Sequence, residues 1–282
     1  QKEVFEFIRK SQISPVKSIH PPSWNKCGRP KNAFLELDNG SSFCARYRDP
    51  HNKLVLGEVM SFYLSQLLGM DSVPAVLLAI TNKTSSQWKH VDILSLEWQD
   101  RKPVALIQWT PHMETVKSLV SIPKLLLSAY QSRTVITGEY LRNVTLNLNE
   151  ISELVQWSSM VLFDFITGHY DRFASMQDGA DQEKRPTILS EKVRNLLKST
   201  KTNKLWWIDN ESGLFDAYAL LYNTVGNSFI KYHKLMLQSV CVFQKTVVES
   251  ISRLYTSENP HLVLEGFASR HEPLLDVFPK DF

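Results

Sequence analysis

A chain of 282 residues, 43% of them hydrophobic, can build one large core or two lobes, and with no internal repeat or low-complexity stretch it reads as globular. Its formal net charge of +3 is too small to argue for nucleic acid, and no aromatic-interleaved basic segment or nucleic-acid-binding motif adds to it. No apolar run approaches the roughly 20 residues that span a bilayer, and the start, Gln1-Lys2-Glu3-Val4, has no signal-peptide character, so the chain as given is expected to be soluble.

Residues 1–109 read as mainly β with one helix. Phe34-Leu35-Glu36-Leu37, the turn Asp38-Asn39-Gly40 and Phe43-Cys44-Ala45-Arg46-Tyr47 make a hairpin pattern, because Asn-Gly tolerates positive φ. Such a hairpin can lie over a nucleotide. From Gly57 to Leu68, residues Val59, Met60, Phe62, Tyr63, Leu64, Leu67 and Leu68 recur at helical spacing, and the run stops at Gly69. Strand-like runs follow at Val73–Ile80, Val91–Leu96 and Pro103–Trp109. A break near Trp109-Thr110-Pro111 separates a β-rich N-lobe, 1–109, from a larger helical C-lobe, 110–282, which makes the fold class α+β.

In the C-lobe, Leu154–Ile166 is strongly apolar with Asp164 inside it, and Val240, Phe243, Val247, Ile251 and Leu254 repeat as one face of a later helix. A polar stretch at 178–204 reads either as a substrate-facing element or as a surface elaboration. It concentrates Lys184, Arg185, Lys192, Arg194, Lys198, Lys201 and Lys204 against the acids Glu183 and Glu191. That is a solvated surface or an electropositive patch for acidic substrate or anionic glycan.

Two carboxylate motifs carry the chemistry: Asp164-Phe165-Ile166-Thr167-Gly168-His169-Tyr170-Asp171-Arg172 and Trp206-Trp207-Ile208-Asp209-Asn210-Glu211-Ser212-Gly213-Leu214. Each sets an Asp where a hydrophobic element gives way to a loop. Phosphoryl transfer needs one carboxylate to orient the attacking hydroxyl and another to hold the metal that bridges the phosphates. Asp171 is the candidate for the first role, against a reading as a turn residue paired with Arg172; Asp209 is the candidate for the second, against a reading as an Asx-turn cap. Glu211 is either a second metal ligand, a support for Asn210, or solvent-exposed. Glu58 lies near the start of its helix, where it either faces a phosphate-binding cation or metal or complements the helix dipole. His169 reads as a structural hydrogen-bonder and Asp164 as a buried partner for Arg172 or for backbone. No glycine-rich phosphate loop is present, so cations must hold the phosphates, with Arg46, Lys31 and Lys53 as candidates.

The pattern D-F-x-x-G-x-x-D-R followed by D-N-x-x-G resembles the secretory-pathway kinases related to the Golgi casein kinase. Cys27-Gly28-Arg29, Cys44-Ala45-Arg46-Tyr47, Gly57-Glu58 with Ser61-Phe62-Tyr63-Leu64, Asp209 to Leu214, Gln238-Ser239-Val240-Cys241-Val242-Phe243 and Arg270-His271-Glu272-Pro273 together resemble the Four-jointed family. The resemblance implies a two-lobed, atypical protein-kinase-like fold. It also implies ATP with Mn²⁺ or Mg²⁺ as cofactors, and an Arg46–Glu58 pair at the nucleotide. Substrates would be Ser or Thr in extracellular cadherin repeats of the Fat and Dachsous type, phosphorylated in the Golgi lumen to regulate planar polarity and growth. A membrane anchor is expected upstream, and the oligomeric state stays open. Two departures, Arg46 where most kinases use Lys and Met176 where they use a metal-binding Asn, keep open a pseudokinase that binds nucleotide or a partner without catalysis.

Zinc is not expected, since no C-x-x-C or H-E-x-x-H spacing occurs. A Cys27–Cys44 bridge would suit a secreted domain and leave Cys241 for a partner beyond the chain, although cysteine count alone does not fix the pairing. Of the sequons at Asn39, Asn82, Asn143 and Asn210, Asn82 and Asn143 are the better glycan acceptors, because a glycan on Asn210 would block Asp209.

Overall fold

The computed structural model describes residues 2–23, 26–109, 118–221 and 226–269. The Thr110-Pro111 break and the Arg270-His271-Glu272-Pro273 string lie outside them. The chain forms two units, one from Gln1–Leu67, Pro74–Thr110 and Ser252–Phe282 and the other from Leu68–Val73 and Pro111–Ile251.

The first unit holds α1 (Lys2–Ile13), β1 (Val16–His20), β2 (Ala33–Leu37), β3 (Ser42–Tyr47), α2 (Asn52–Leu67), β4 (Val76–Ile80) and β5 (Pro103–Gln108). Its strands form an antiparallel sheet in the order β1-β2-β3-β5-β4. The hairpin between β2 and β3 pairs Leu35 with Phe43. Gly40 turns it at φ +82°, and the Asn39 side chain accepts from the Ser41 amide at 2.9 Å. A disulfide ties Cys27 to Cys44 on β3, with Cα atoms 5.3 Å apart, while Cys241 is exposed and unbridged.

α2 packs on β4 and β5 and buries residues all round, among them Val55, Val59, Phe62 and Tyr63. It begins at Asn52, five residues before the apolar periodicity, which moves Glu58 out of the first turn. The dipole reading of Glu58 weakens accordingly, since that effect is confined to the first turn.

Two expectations for this unit are corrected. In place of the single helix expected in residues 1–109 there are two, α1 and α2: α1 buries only Phe5, Ile8 and Ser11, and tertiary packing of Phe5 on Phe62 and Tyr63, at ring distances of 6.1 and 5.8 Å, holds it. Val91–Leu96 is not a strand. Asp92 accepts from the Leu94 amide at 3.0 Å and bends the chain into a 3-10 turn, Leu94–Leu96, that still buries Ile93 and Leu96.

The second unit is mainly helical: β6 (Ser118–Ser121), α3 (Lys124–Ser132), β7 (Ile136–Thr137), α4 (Gly138–Arg142), α5 (Leu148–Thr167), α6 (Phe173–Gln182), β8 (Lys192–Lys198), β9 (Leu205–Trp207), α7 (Phe215–Leu221), α8 (Gly226–Leu237), β10 (Val240–Cys241) and α9 (Lys245–Tyr255). β6, β8 and β9 form an antiparallel sheet with β8 in the centre, and β7 pairs in parallel with β10. α5 is the spine. A capping box between Asn147 and Glu150 starts it, Gly168 at φ +66° ends it, and Trp157, Met160 and Phe163 are buried along it.

The stretch 178–204 is not a surface elaboration, because it contains the central strand β8 with Val193 and Leu196 buried. Nor are Val240 and Phe243 on the later helix; Val240 lies in β10, α9 starts at Lys245, and Val247 is its buried residue. The chain after Ile251 groups with the first unit, where Phe267 meets Phe5 at 6.2 Å between ring centroids. No sequence break marks that change, since it falls inside α9.

Candidate active site

Asp171 follows α5 by one turn. Gly168 reverses the chain in a left-handed conformation, its amide closing onto the helix end at Asp164. Tyr170 then anchors the segment by donating to Asp216 at 2.8 Å and stacking on Phe229 at 5.7 Å. Burial and the bond to Asp216 push the Tyr170 hydroxyl up to about 12, so it stays a neutral donor.

Arg172, fully buried, is the hub of the site. Its Nη1 donates to Asp164 Oδ1; Nη2 donates to Asn210 Oδ1 at 2.6 Å and to the Ile208 carbonyl at 3.1 Å, and Nε to the Asn195 carbonyl at 3.4 Å. The residue after Asp171 is therefore bonded to the residues on either side of Asp209. Two segments far apart in sequence, the one carrying Asp171 and the one carrying Asp209, are thus joined through one guanidinium whose planar fork serves several acceptors at once. Burial raises the Asp164 carboxyl from its ordinary 3.8 to about 6, against the pull of Arg172, and its Oδ2 has no hydrogen-bond partner.

Asp209 closes β9 in a left-handed conformation, φ 58°, ψ 53°. Such backbone costs about 1 kcal/mol or more for a non-glycine residue and persists where its surroundings over-determine it. Here the surroundings are explicit. His169 Nε2 donates to the Asp209 carbonyl at 3.0 Å, and Asn210 is fixed through Arg172 and through donation to the Trp207 carbonyl at 3.0 Å. The Leu214 amide then donates to the Thr167 carbonyl at 2.7 Å, and a Cβ on Gly213 would meet Thr167 Cβ at 3.3 Å. His169 is fully buried; burial first, and Arg172 second, push its ring well below the ordinary imidazole value. It is a neutral strut, with its Nδ1 unpartnered.

Sequence reasoning missed two members of this site. Asn195, on β8, donates through Nδ2 to Asp171 Oδ2 at 2.9 Å and to the Asp171 carbonyl at 3.2 Å. No local signal gives it away: in the sequence Val193, Asn195 and Leu197 alternate regularly, and the bulge shows only in the fold, where Val193 and Leu196 are the buried pair. Asn210, read as a sequon and as a motif residue that Glu211 could hold but not as a partner of Arg172, is fully buried and cannot carry a glycan in this fold.

In the first unit, Arg46 Nη1 donates to Glu58 Oε2 at 3.2 Å, with the Glu58 side chain 1% and the Arg46 side chain 12% exposed. Lys31 is half-exposed and pairs with Glu97 at 3.9 Å. Lys53 sits in the first turn of α2 and Glu211 is buried in the turn after Asp209. Met176 is buried in α6.

No three His, Cys, Asp or Glu side chains cluster into a closed metal cage among the described residues. A catalytic Mg²⁺ or Mn²⁺ does not need one, because it is held by one or two carboxylates together with phosphate oxygens and water. Asp209, a hard oxygen donor on an over-determined strand end, fits that requirement, and the buried Glu211 carboxylate stands two residues on.

A family profile described as Four-jointed box protein middle domain matches residues 2–281. The chain is similar to Four-jointed box protein 1 of Xiphophorus maculatus, 31% identical over 267 residues, covering 94% of this chain and 58% of that protein. It is also similar to the extracellular serine/threonine protein kinase four-jointed of Drosophila melanogaster, 28% identical over 275 residues, covering 81% of this chain and 45% of that protein. The chain thus spans about half the length of the curated relatives it matches. Among solved structures it resembles the Golgi casein kinase with Mn/ADP bound, TM-score 0.53 at 10% identity over 95% of this chain and 69% of that one. It also resembles hydra Fam20 with sugar, TM-score 0.55 at 14% identity over 100% of this chain and 84% of that one. At such identities the likeness is one of fold, and it is the two-lobed, kinase-like α+β class expected from the sequence. With a family profile covering nearly every residue and the Asp171 and Asp209 motifs joined on one buried arginine, this chain belongs to the Four-jointed box family.

Proposed function

We propose that this chain is the catalytic domain of a secretory-pathway serine/threonine protein kinase that uses ATP with Mn²⁺ or Mg²⁺. The observation that carries the reading is the Arg172 hub, which couples the segment of Asp171 to the segment of Asp209 through bonds of 2.6 and 3.1 Å. Phosphoryl transfer asks a protein mainly for positioned charge, and a rigid mount for two carboxylates supplies it.

Asp171 accepts the proton of the acceptor hydroxyl. Asp209 would hold the divalent cation, with Glu211 as the second carboxylate, and a cation bound there would supply charge neutralisation at the phosphates. Glu58 orients Arg46 toward phosphate oxygens; Lys31 and Lys53 are the lesser candidates, Lys31 because Glu97 holds it at the surface. The Drosophila relative's name as an extracellular serine/threonine protein kinase and the Mn/ADP complex of the Golgi casein kinase support the reading.

For the full protein we place the activity in the Golgi lumen, on a type II membrane protein whose anchor lies upstream. The Cys27–Cys44 disulfide supports an oxidising compartment. No helix among the described residues is long and apolar enough to cross a membrane. The acceptors are Ser or Thr in extracellular cadherin repeats of the Fat and Dachsous type, where a phosphate adds close to two negative charges and so tunes an adhesive interface in planar polarity and growth.

The test is transfer of labelled γ-phosphate from ATP to a purified cadherin-repeat fragment, with Mn²⁺ and with chelator, and mapping of the acceptor by mass spectrometry. Metal-dependent label on Ser or Thr supports the kinase. Nucleotide binding without transfer to any acceptor would favour the pseudokinase that Arg46 and the buried Met176 motivate.

A further inference from the structure

β8 is not a regular strand. β6 pairs with it at Leu119↔Leu197 and next at Ser121↔Lys192, so the register jumps, and within the jump Asn195 has φ 59°. Val193 and Leu196 are both buried, a spacing of three. The bulge takes Asn195 out of the alternation and aims its amide at Asp171, which it meets at Oδ2, 2.9 Å, and at the carbonyl, 3.2 Å. The Asn195 carbonyl meanwhile accepts from the Ile208 amide at 3.1 Å and from Arg172 Nε at 3.4 Å. One residue thus bonds the Asp171 carboxylate, the Arg172 hub and the strand end that leads into Asp209.

Resting on the kinase reading, we propose that Asn195 is a positioning residue for phosphoryl transfer: its amide fixes the rotation of the Asp171 carboxylate toward the acceptor hydroxyl. An ordinary kinase draws an Asn from its own catalytic loop to hold metal. Here the corresponding loop position is the buried Met176, and an Asn instead arrives from a strand 24 residues beyond Asp171 and holds the base. The left-handed backbone suits Asn, whose short polar side chain tolerates that region, and a strained residue beside a reacting group fits a positional role.

Asn195→Gly tests this directly, because glycine adopts the same φ without strain and removes only the amide. The expected result is a fall in kcat of about 10- to 100-fold with KM for ATP unchanged, as a misdirected base gives. Asn195→Asp keeps shape and backbone tolerance but sets a second carboxylate against Asp171. It is expected to move the acid limb of the pH–rate profile upward by about one unit or more. A glycine variant with kcat within twofold of the parent, or an aspartate variant with an unmoved profile, overturns the proposal.

A parent chain that transfers no phosphate overturns the kinase reading itself. The clamp is then read separately from titration of the ¹³C-labelled Asp171 carboxyl. Asn195→Gly moves that titration if the contact holds; an unmoved titration overturns the contact as well.

Discussion

Replacing Arg172 by Met should show how much of the C-lobe rests on one buried charge. The parent guanidinium is fully buried and donates to Asp164, to Asn210 at 2.6 Å, to the Ile208 carbonyl at 3.1 Å and to the Asn195 carbonyl at 3.4 Å. Met keeps the apolar stem and removes every donor. Breaking a buried ion pair by removing one partner costs about 3–5 kcal/mol, because the remaining charge stays desolvated. For a chain of this size that corresponds to a drop in Tm on the order of 10 °C. The loss also depends on pH with a definite sign. The folded Asp164 carboxyl, at about 6, lies above its ordinary 3.8, so the folded state binds the proton more tightly and loses stability as pH rises through that window. Arg172 works against this rise, so without it the carboxyl titrates higher and the penalty extends to higher pH. Thermal melts of parent and variant should therefore differ least near pH 5 and most near pH 8, and adding Asp164→Leu to the variant should recover part of the loss. A destabilisation below about 1 kcal/mol, or one that is equal at both pH values, would refute the reasoning.

The disulfide closes a span of 17 residues, so Cys27→Ala with Cys44→Ala should cost about 3 kcal/mol, and reductant should then have no further effect on the melt. Arg46→Met should raise KM for ATP at least about tenfold and destabilise by roughly 3 kcal/mol through the buried Glu58, with Arg46→Lys intermediate; an unchanged KM would remove Arg46 from the phosphates. In a secretory host, glycosidase treatment should shift the mass by glycans at Asn82 and Asn143, which are half-buried and exposed, whereas Asn210→Gln should change stability and leave the glycan count alone.

What the sequence made legible was local. The Asn39-Gly40 hairpin and the apolar runs of α2 and α5 each declare themselves within a dozen residues, and Asp171 and Asp209 stand where such elements end. What it concealed depends on distant partners. α1 intersperses Val4, Phe5, Phe7, Ile8 and Ile13 with charged and polar residues, and becomes a helix because Phe62 and Tyr63 receive Phe5 and Phe43 receives Phe7. The 178–204 stretch looked like surface because its lysines dominate the composition, yet Val193 and Leu196 make it the centre of a sheet. Its charges are partly consumed locally, Lys198 by Glu153 at 2.6 Å and Lys204 by Asp71 at 2.9 Å. Asn195 and Asn210 acquire their roles only from Asp171 and Arg172, which no local pattern can announce.

The most direct test of the account is single-turnover transfer of labelled γ-phosphate by the parent, Asp171→Ala and Asp209→Ala chains, each first shown to melt like the parent and to be tested for nucleotide binding. The account predicts that Asp171→Ala binds nucleotide but transfers at least about 1,000-fold more slowly, and that Asp209→Ala loses both transfer and metal-dependent binding. Transfer within tenfold of the parent by either folded variant would contradict it.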